Sequence, residues 1–344
     1  MSGVPPPRLA VIVPVRNEAR FIEACLESIL HDAPRGGIEV YVVDGMSDDG
    51  TADAVRGIAR SDPRVHLLLN PSRFVPQAMN LGIAASSAPF IGRVDGHALV
   101  VPGYFAGCLQ RLERGGLDCA GGVLVNEGTT PAGRAVAAAT SSPVGVGSAR
   151  FRTGQGGEAF VDTLAFGVYR REAFEKAGLF DETFVRNQDD ELNFRLTRAG
   201  GRIMLIPSLQ IRYFVRDSIG SLARQYYQYG YWKWRVFAKH GRFASWRHLA
   251  PSGFLIVLAA LTLAAPFSAL ALRLLAAILG GYLLVVGGEA LRLKLSRAVP
   301  WGSTAMALAV LHFSYGAGLL AALTGALLPG ARHRTEAGPT RLSR

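Results

Sequence analysis

Over about the first hundred residues, apolar runs of four to eight residues alternate with longer amphipathic stretches. Strands buried on both faces read as continuous apolar runs, so this alternation predicts a parallel sheet with helices on both faces. Strands are expected at 9–15, 38–43, 65–69 and 89–94, and helices at 18–30, 51–60 and 76–85. Each interval between strands is long enough for a right-handed crossover. Ligands of such open sheets bind beyond the carboxyl ends of the strands. Asp44 and Asp95 fall just past two of those ends and are expected to face one crevice.

The pattern changes near residue 250. Between Pro251 and Gly330 only Arg273, Glu289, Arg292, Lys294 and Arg297 are charged. Segments 253–272, 274–291 and 303–328 are each long enough to cross about 30 Å of hydrocarbon. With the preceding residues in the cytosol, Arg292, Lys294 and Arg297 would return to it, as the positive-inside tendency expects. The tail, with Arg332, Arg334, Arg341 and Arg344, would then lie outside, against the same tendency. Glu289 is costly in lipid and should face protein or the interface.

Composition narrows the classes. The 344 residues carry a formal charge of +11 and are 49 % hydrophobic. The basic residues gather around the apolar segments and form no recognisable nucleic-acid module, so nucleic-acid binding is not expected. Cys25, Cys108 and Cys119 lack metal-ligand spacing and are expected to be reduced and buried. The start, MSGVPPPRLAVIVPVRNEAR, has no basic region, apolar stretch and cleavage site of a secretory signal. A nucleotidyltransferase would need a glycine-rich phosphate loop after its first strand, and Pro14-Val15-Arg16-Asn17 is not one.

Against this basic background, VVDGMSDDGT at 42–51 concentrates acidic and hydroxyl side chains. Asp48, Asp49 and Thr51 can cap the following helix. Asp44 precedes the cap, and a carboxylate there can accept hydrogen bonds from a base N–H or from ribose hydroxyls.

Four stretches, VIVPVRNEARFIEACLESIL, VVDGMSDDGT, NPSRFVPQAMNLGIAAS and IGRVDGHA, resemble in order and spacing the family 2 glycosyltransferases, especially a bacterial exopolysaccharide branch. The resemblance covers roughly residues 8–235. It implies an α/β class and the GT-A nucleotide-diphospho-sugar transferase fold: a Rossmann-like mixed sheet with helices on both faces, followed here by C-terminal transmembrane helices. Pro14, Asn17, Glu18 and Asp44 would hold the nucleotide, and Ser47, Asp48, Asn80, Arg93 and Asp95 complete the candidate nucleotide-sugar set. Helix capping is the other reading of Asn17 and Glu18. Asp95 stands where the family has its Asp-x-Asp metal motif, with His97 in place of the second carboxylate. Asp95 and His97 are therefore the candidate ligands of a divalent metal, Mg or Mn, with imidazole suiting Mn better.

A fifth stretch, NQDDELNFRLTRAGGRIMLIP, resembles the family's Glu-Asp-x-Asp-Leu element followed by an arginine. Aligned on Leu192 and Arg195, it puts Asp189 at the catalytic-base position, with Gln188 and Glu191 at the flanking acids. Asp189, Asp190 and Glu191 could also be simply an acidic helix start. Asp190 competes for the base role and is otherwise expected, with Gln225, on the acceptor side. Gln228 and Tyr229 replace the Arg and Trp of the family's Gln-x-x-Arg-Trp element, which argues for single-sugar addition. The aromatic and basic stretch that follows reads as an amphipathic helix at a membrane face. Arg212 and Arg216 are further candidates to neutralise a diphosphate. Residues 126–155, rich in Gly, Ala, Ser and Thr, read as a long loop where an acceptor enters.

The expected organisation is a catalytic domain at 1–225, an interfacial segment at 226–250, about three transmembrane helices within 251–330 and a basic tail at 331–344. The expected function is that of a membrane-anchored, inverting glycosyltransferase in the plasma (inner) membrane with its catalytic domain in the cytoplasm. It would move a sugar from a nucleotide-sugar, a UDP-sugar first, to a hydroxyl of a lipid-linked or membrane-proximal glycan acceptor in exopolysaccharide or cell-surface glycan synthesis. Other polysaccharide-assembly proteins are candidate partners. The alternatives are a processive polysaccharide synthase and a non-catalytic membrane scaffold that retains the fold.

Overall fold

The computed structural model describes residues 7–241 and 246–327, so the basic tail at 331–344 lies outside the described residues. The chain divides into two compact units, Met1–Val125 with Gly154–Tyr213, and Asn126–Thr153 with Phe214–Arg344.

In the first unit β1 (Leu9–Val15) is buried at every position, as a strand covered on both faces must be. It pairs in parallel with β2 (Ile38–Asp44) and β4 (Phe90–Arg93), while β3 (Val65–Leu69) pairs in parallel with β2. Helices α1 (Ile22–His31), α2 (Thr51–Ser61) and α3 (Val75–Ala85) supply the crossovers. The helix expected from residue 18 begins four positions later. Asn17 takes left-handed backbone, and the Glu18 carbonyl accepts from the amides of Phe21 and Ile22.

After β5 (Ala98–Val100), α4 (Tyr104–Glu113) and β6 (Cys119–Glu127), the chain leaves the first unit and forms α5 (Pro131–Thr140), α6 (Pro143–Val146) and α7 (Arg150–Thr153). It returns through β7 (Ala159–Phe160), β8 (Val168–Arg170), α8 (Arg171–Ala177), α9 (Gln188–Arg198) and β9 (Ile203–Phe214). The strand order is β3-β2-β1-β4-β8-β6-β9-β5, with β7 paired to β9. The remaining strands pair antiparallel at β4–β8, β5–β9, β6–β8 and β7–β9, so the sheet as a whole is mixed. Cys25, Cys108 and Cys119 are free and buried, and burial pushes their thiols up.

The long loop expected at 126–155 is mostly helical. Thr130 Oγ1 accepts from Gly133 N at 2.9 Å ahead of a proline in the first turn, and Ser142 caps α6 in the same way at 3.1 Å. Small residues gave the segment its loop-like composition. In the fold they make a flat helix face: Val136 and Ala139 pack with Val286, Ala290, Ala307, Leu308 and Leu311 in the core of the second unit.

That unit continues with α10 (Ile219–His240), α11 (Ala250–Ala264), α12 (Ala269–Arg297) and α13 (Trp301–Leu327). Two of these, α12 and the Trp301–Ala326 part of α13, are long and apolar enough to cross a membrane, rather than the three expected. The first expected span breaks at Ala265-Pro266-Phe267. Ser268 then caps α12, and α11 keeps 15 residues, about 22 Å of rise. Glu289 faces protein, as its cost in lipid requires: Ser142 Oγ donates to it at 2.5 Å, and Arg292 pairs with both of its oxygens at 2.7 Å.

Helices α10 and α13 touch backbone to backbone at two glycines. A β-carbon on Gly230 would lie 2.0 Å from the Tyr315 carbonyl oxygen, and one on Gly318 would lie 2.0 Å from that of Tyr227. Alanine at either position must push the helices apart, with an expected loss of about 1–3 kcal/mol. Gly220→Ala, also in α10 but with nothing within 4 Å, should be neutral or stabilising by up to about 1 kcal/mol. Thermal melts of the three variants in detergent check the contrast.

Candidate active site

The loops leaving β1 and β2 are sewn together. Asn17 Nδ2 donates to Asp48 Oδ1 at 2.8 Å, and Asp48 N returns a bond to Asn17 Oδ1 at 3.0 Å. Asn17 N donates to Ser47 Oγ at 2.9 Å, Glu18 N to Thr51 Oγ1 at 2.8 Å and Ala19 N to Asp49 Oδ2 at 3.0 Å. Ser47 in turn donates from N at 3.0 Å and from Oγ to the two oxygens of the buried Asp44 carboxylate. Of the expected helix caps only Asp49 meets an α2 amide, that of Thr51, at 3.0 Å. Pro14 lies inside β1, opposite Val43. Pro14, Asn17, Glu18, Asp44, Ser47 and Asp48 therefore do come together at one sheet edge, and much of their polarity holds that edge rigid.

The centre of the unit is an ion triad. Arg93 ends β4 and Asp95 follows it by two positions, so their side chains leave the extended chain on one side. The buried Arg93 guanidinium donates to Asp95 Oδ1 through Nε at 3.0 Å and Nη2 at 2.9 Å, and through Nη1 to Asp189 Oδ1. Asp189 stands in the first turn of α9, which left-handed Asn187 leads into. Loss of solvent pushes its carboxyl up, Arg93 pulls it down, and Asp95 and Asp190 push it up again, leaving it at about 6. The third acid of the turn, Glu191, is fully buried and paired with Arg195 at 2.8 to 3.0 Å, so its charge serves the helix.

Of two further sequence-predicted residues, His97 joins the donor-side loop through Glu18 and Asn80 points elsewhere. His97 is buried, with Nδ1 3.0 Å from Glu18 Oε1 and its ring tilted against Tyr213. Asn80 turns away from the β-strand edge and clasps the loop ahead of α9. Its amide nitrogen donates to the Phe180 carbonyl and to Glu182 Oε1, both at 2.9 Å, and its Oδ1 accepts from Phe180 N at 3.0 Å. Gln77 donates to the Glu182 carbonyl at 3.1 Å, and from α9 Arg195 reaches the Leu179 carbonyl at 2.8 Å. Gln225 lies on α10 in the second unit and donates to Tyr229 Oη at 3.0 Å. Arg212 is in β9 opposite Leu99. The partners of His97 and Asn80 lie 79 and 102 positions away, beyond what the local motif could signal.

Among the described residues no group of three or more His, Cys, Asp or Glu side chains is arranged to hold a metal. The donor set fits a hard divalent cation through Asp95, which keeps a fifth of its side chain exposed. One carboxylate completed by phosphate oxygens is a coordination that such ions accept. His97 is held through Nδ1 by Glu18, a contact that orients the imidazole without using its second ring nitrogen.

Comparison with known proteins fits this geometry. Residues 10–178 match the model of the family Glycosyl transferase family 2. Over 243 residues the chain is 31 % identical to the succinoglycan biosynthesis protein ExoA of Rhizobium meliloti, covering 70 % of this chain and 73 % of that relative. The chain belongs to glycosyltransferase family 2. It is 25 % identical over 259 residues to the Methanococcus voltae dolichyl N-acetyl-alpha-D-glucosaminyl phosphate 3-beta-D-2,3-diacetamido-2,3-dideoxy-beta-D-glucuronosyltransferase, covering 73 % of this chain and 79 % of the relative. The mannosyltransferase PcManGT of Pyrobaculum calidifontis, solved with GDP-Man and Mn2+, shares the fold with a TM-score of 0.62 at 23 % identity, over 92 % of this chain and 88 % of that one. This glycosyltransferase thus has the GT-A fold and is an enzyme of polysaccharide or glycan biosynthesis.

The Asn80 clasp carries a prediction. Asn80→Ala leaves both polar groups of Phe180 without their partner and should cost about 1–3 kcal/mol. Asn80→Asp keeps one acceptor but faces Glu182 with like charge, and should be no better. Denaturant melts of both variants against wild type measure the loss.

Proposed function

We propose that this glycosyltransferase is a membrane-anchored, inverting enzyme that transfers a sugar from a UDP-sugar to a hydroxyl of a lipid-linked or membrane-proximal glycan. The observation that carries the reading is the single guanidinium bonded to both Asp95 and Asp189. It puts the carboxylate assigned to the donor and the one assigned to the acceptor within one side chain's reach.

In the proposed step the acceptor oxygen attacks the anomeric carbon while the bond from that carbon to the diphosphate oxygen breaks. Asp189 takes the hydroxyl proton. Its Oδ1 is held by Arg93, and Oδ2 makes no hydrogen bond among the described residues, so the latter is the oxygen that works as base. One displacement without a covalent enzyme intermediate inverts the anomeric centre. Asp44, with acceptor capacity beyond its bonds to Ser47, meets the base N–H or the ribose. Asp95 would hold Mg2+ or Mn2+, which when bound neutralises the leaving diphosphate. The PcManGT complex with GDP-Man and Mn2+ supports a nucleotide-sugar and a divalent metal as the reagents.

Membrane anchoring is supported by α12 and α13 and by apolar side chains such as Leu270, Leu283, Leu284 and Leu295, exposed by 65 to 78 %. In the proposed orientation the Glu289 end of α12 faces the cytoplasm. Arg292, Lys294 and Arg297 lie at that end, where the positive-inside tendency wants them.

The deciding experiment is a donor screen. UDP-glucose, UDP-galactose, UDP-N-acetylglucosamine and GDP-mannose are offered to membranes with Mg2+ or Mn2+, and released nucleotide is scored. Release from a UDP-sugar is expected, and silence with every donor would defeat the proposal. Asp189→Asn should lower turnover about 10²–10⁴-fold. The base acts ionised, and its carboxyl is pushed up to about 6, so kcat/KM should fall as pH drops through about 6. An acid limb near pH 4 would remove Asp189 from the role.

A further inference from the structure

Arg93 occupies the place a free cation would take. Asp95 and Asp189 come from distant parts of the chain, and both point their Oδ1 atoms at the same buried guanidinium. Two carboxylates and one guanidinium leave the trio a net charge of −1, where the acids alone would present −2. Arg93 cannot give up its charge under any ordinary condition. With 7 % of its side chain exposed, it has little water to screen it, and the Phe166 ring lies 5.9 Å from the guanidinium carbon. A dication approaching Asp95 by itself therefore meets a fixed positive charge on the same carboxylate. A nucleoside diphosphate reverses the balance, because its phosphate oxygens add negative charge and ligands at once.

We propose that Arg93 is a resident cation that keeps the divalent metal out of the empty site, so that the metal enters only together with the nucleotide diphosphate. The inference rests on the proposed donor and metal reading of this site. It assigns to Arg93 a role in the order of binding, distinct from direct contact with the nucleotide-sugar. The guanidinium bridges the two acids in the empty site and, when metal and diphosphate arrive, yields Asp95 while keeping its hold on Asp189 Oδ1; a neutral side chain there would leave behind a two-carboxylate site for metal alone.

The test follows free Mn2+ by its electron paramagnetic resonance signal during titration with the full-length chain in detergent micelles. Wild type should bind Mn2+ at least tenfold more tightly with UDP than without it, and UMP, which lacks the second phosphate, should not replace UDP. Arg93→Gln should bind Mn2+ without nucleotide at least tenfold more tightly than wild type, and Arg93→Lys, which keeps the charge, should follow wild type. The gain in Arg93→Gln should disappear in the double variant Arg93→Gln/Asp189→Asn. Equal wild-type affinity with and without UDP, or no gain in Arg93→Gln, overturns the inference while leaving the donor reading intact. Absence of Mn2+ binding by every form, UDP included, overturns the metal reading itself. If Arg93→Gln does not fold, Arg93→Met, close to arginine in length and uncharged, carries the same comparison with wild type and Arg93→Lys.

Discussion

The ion pairs of Arg93 are the constraint on which the catalytic unit depends. A guanidinium removed from water must be matched by negative charge, and losing one partner of such a group is far costlier than an exposed pair is worth. Its partners come from two places: Asp95 from the same strand end, and Asp189 from the start of a helix almost a hundred residues on. To bring the second partner home, α9 must be set against the sheet in one register. Arg195 and Glu191 fix the helix to its preceding loop, and Asn80 fixes that loop to α3. The order of dependence runs from the charge to the helix start, then to the loop and to the donor-side helix.

A similar logic governs the second unit, with backbone contact in place of charge. Where Gly230 and Gly318 let two helices touch, dispersion acts at the shortest range available, and no side chain could substitute. Glu289 is then tolerable between apolar neighbours because Ser142 and Arg292 take up its oxygens. His312 adds a second polar tie through its Nε2, 2.7 Å from the Val144 carbonyl. The inserted segment 126–153 is thus joined to α12 and α13 by hydrogen bonds as well as by its alanine face.

The parallel half of the sheet was legible because its strands are covered on both sides and so read as unbroken apolar runs. The 126–153 segment was not, since glycine, alanine and serine look alike whether they serve a loop or a close-packed helix. Tertiary packing decided between them. The first apolar segment was misread as a full span for a related reason: hydropathy registers Ala265-Pro266-Phe267 as apolar, while the proline ends the helix there. In the site, spacing found the acids, but it could not tell which of them were taken. Glu191 and Asp190 adjoin the same helix start as Asp189, and it is the fold that commits Glu191 to Arg195.

The contrast between His97 and Asp95 carries the argument one step further. Their two-residue spacing invites a chelate, yet they separate into different pairings, imidazole with Glu18 and carboxylate with Arg93. Asp95 is tied back to the strand end and His97 to the loop after β1, so the chain is held on both sides of Gly96. A metal at Asp95 would have to displace the Arg93 contact, whereas the Glu18 contact takes only Nδ1 of the imidazole and need not break. The Asp-x-His sequence is therefore compatible with metal chemistry at Asp95, and the Glu18 contact fixes the orientation of the imidazole beside it.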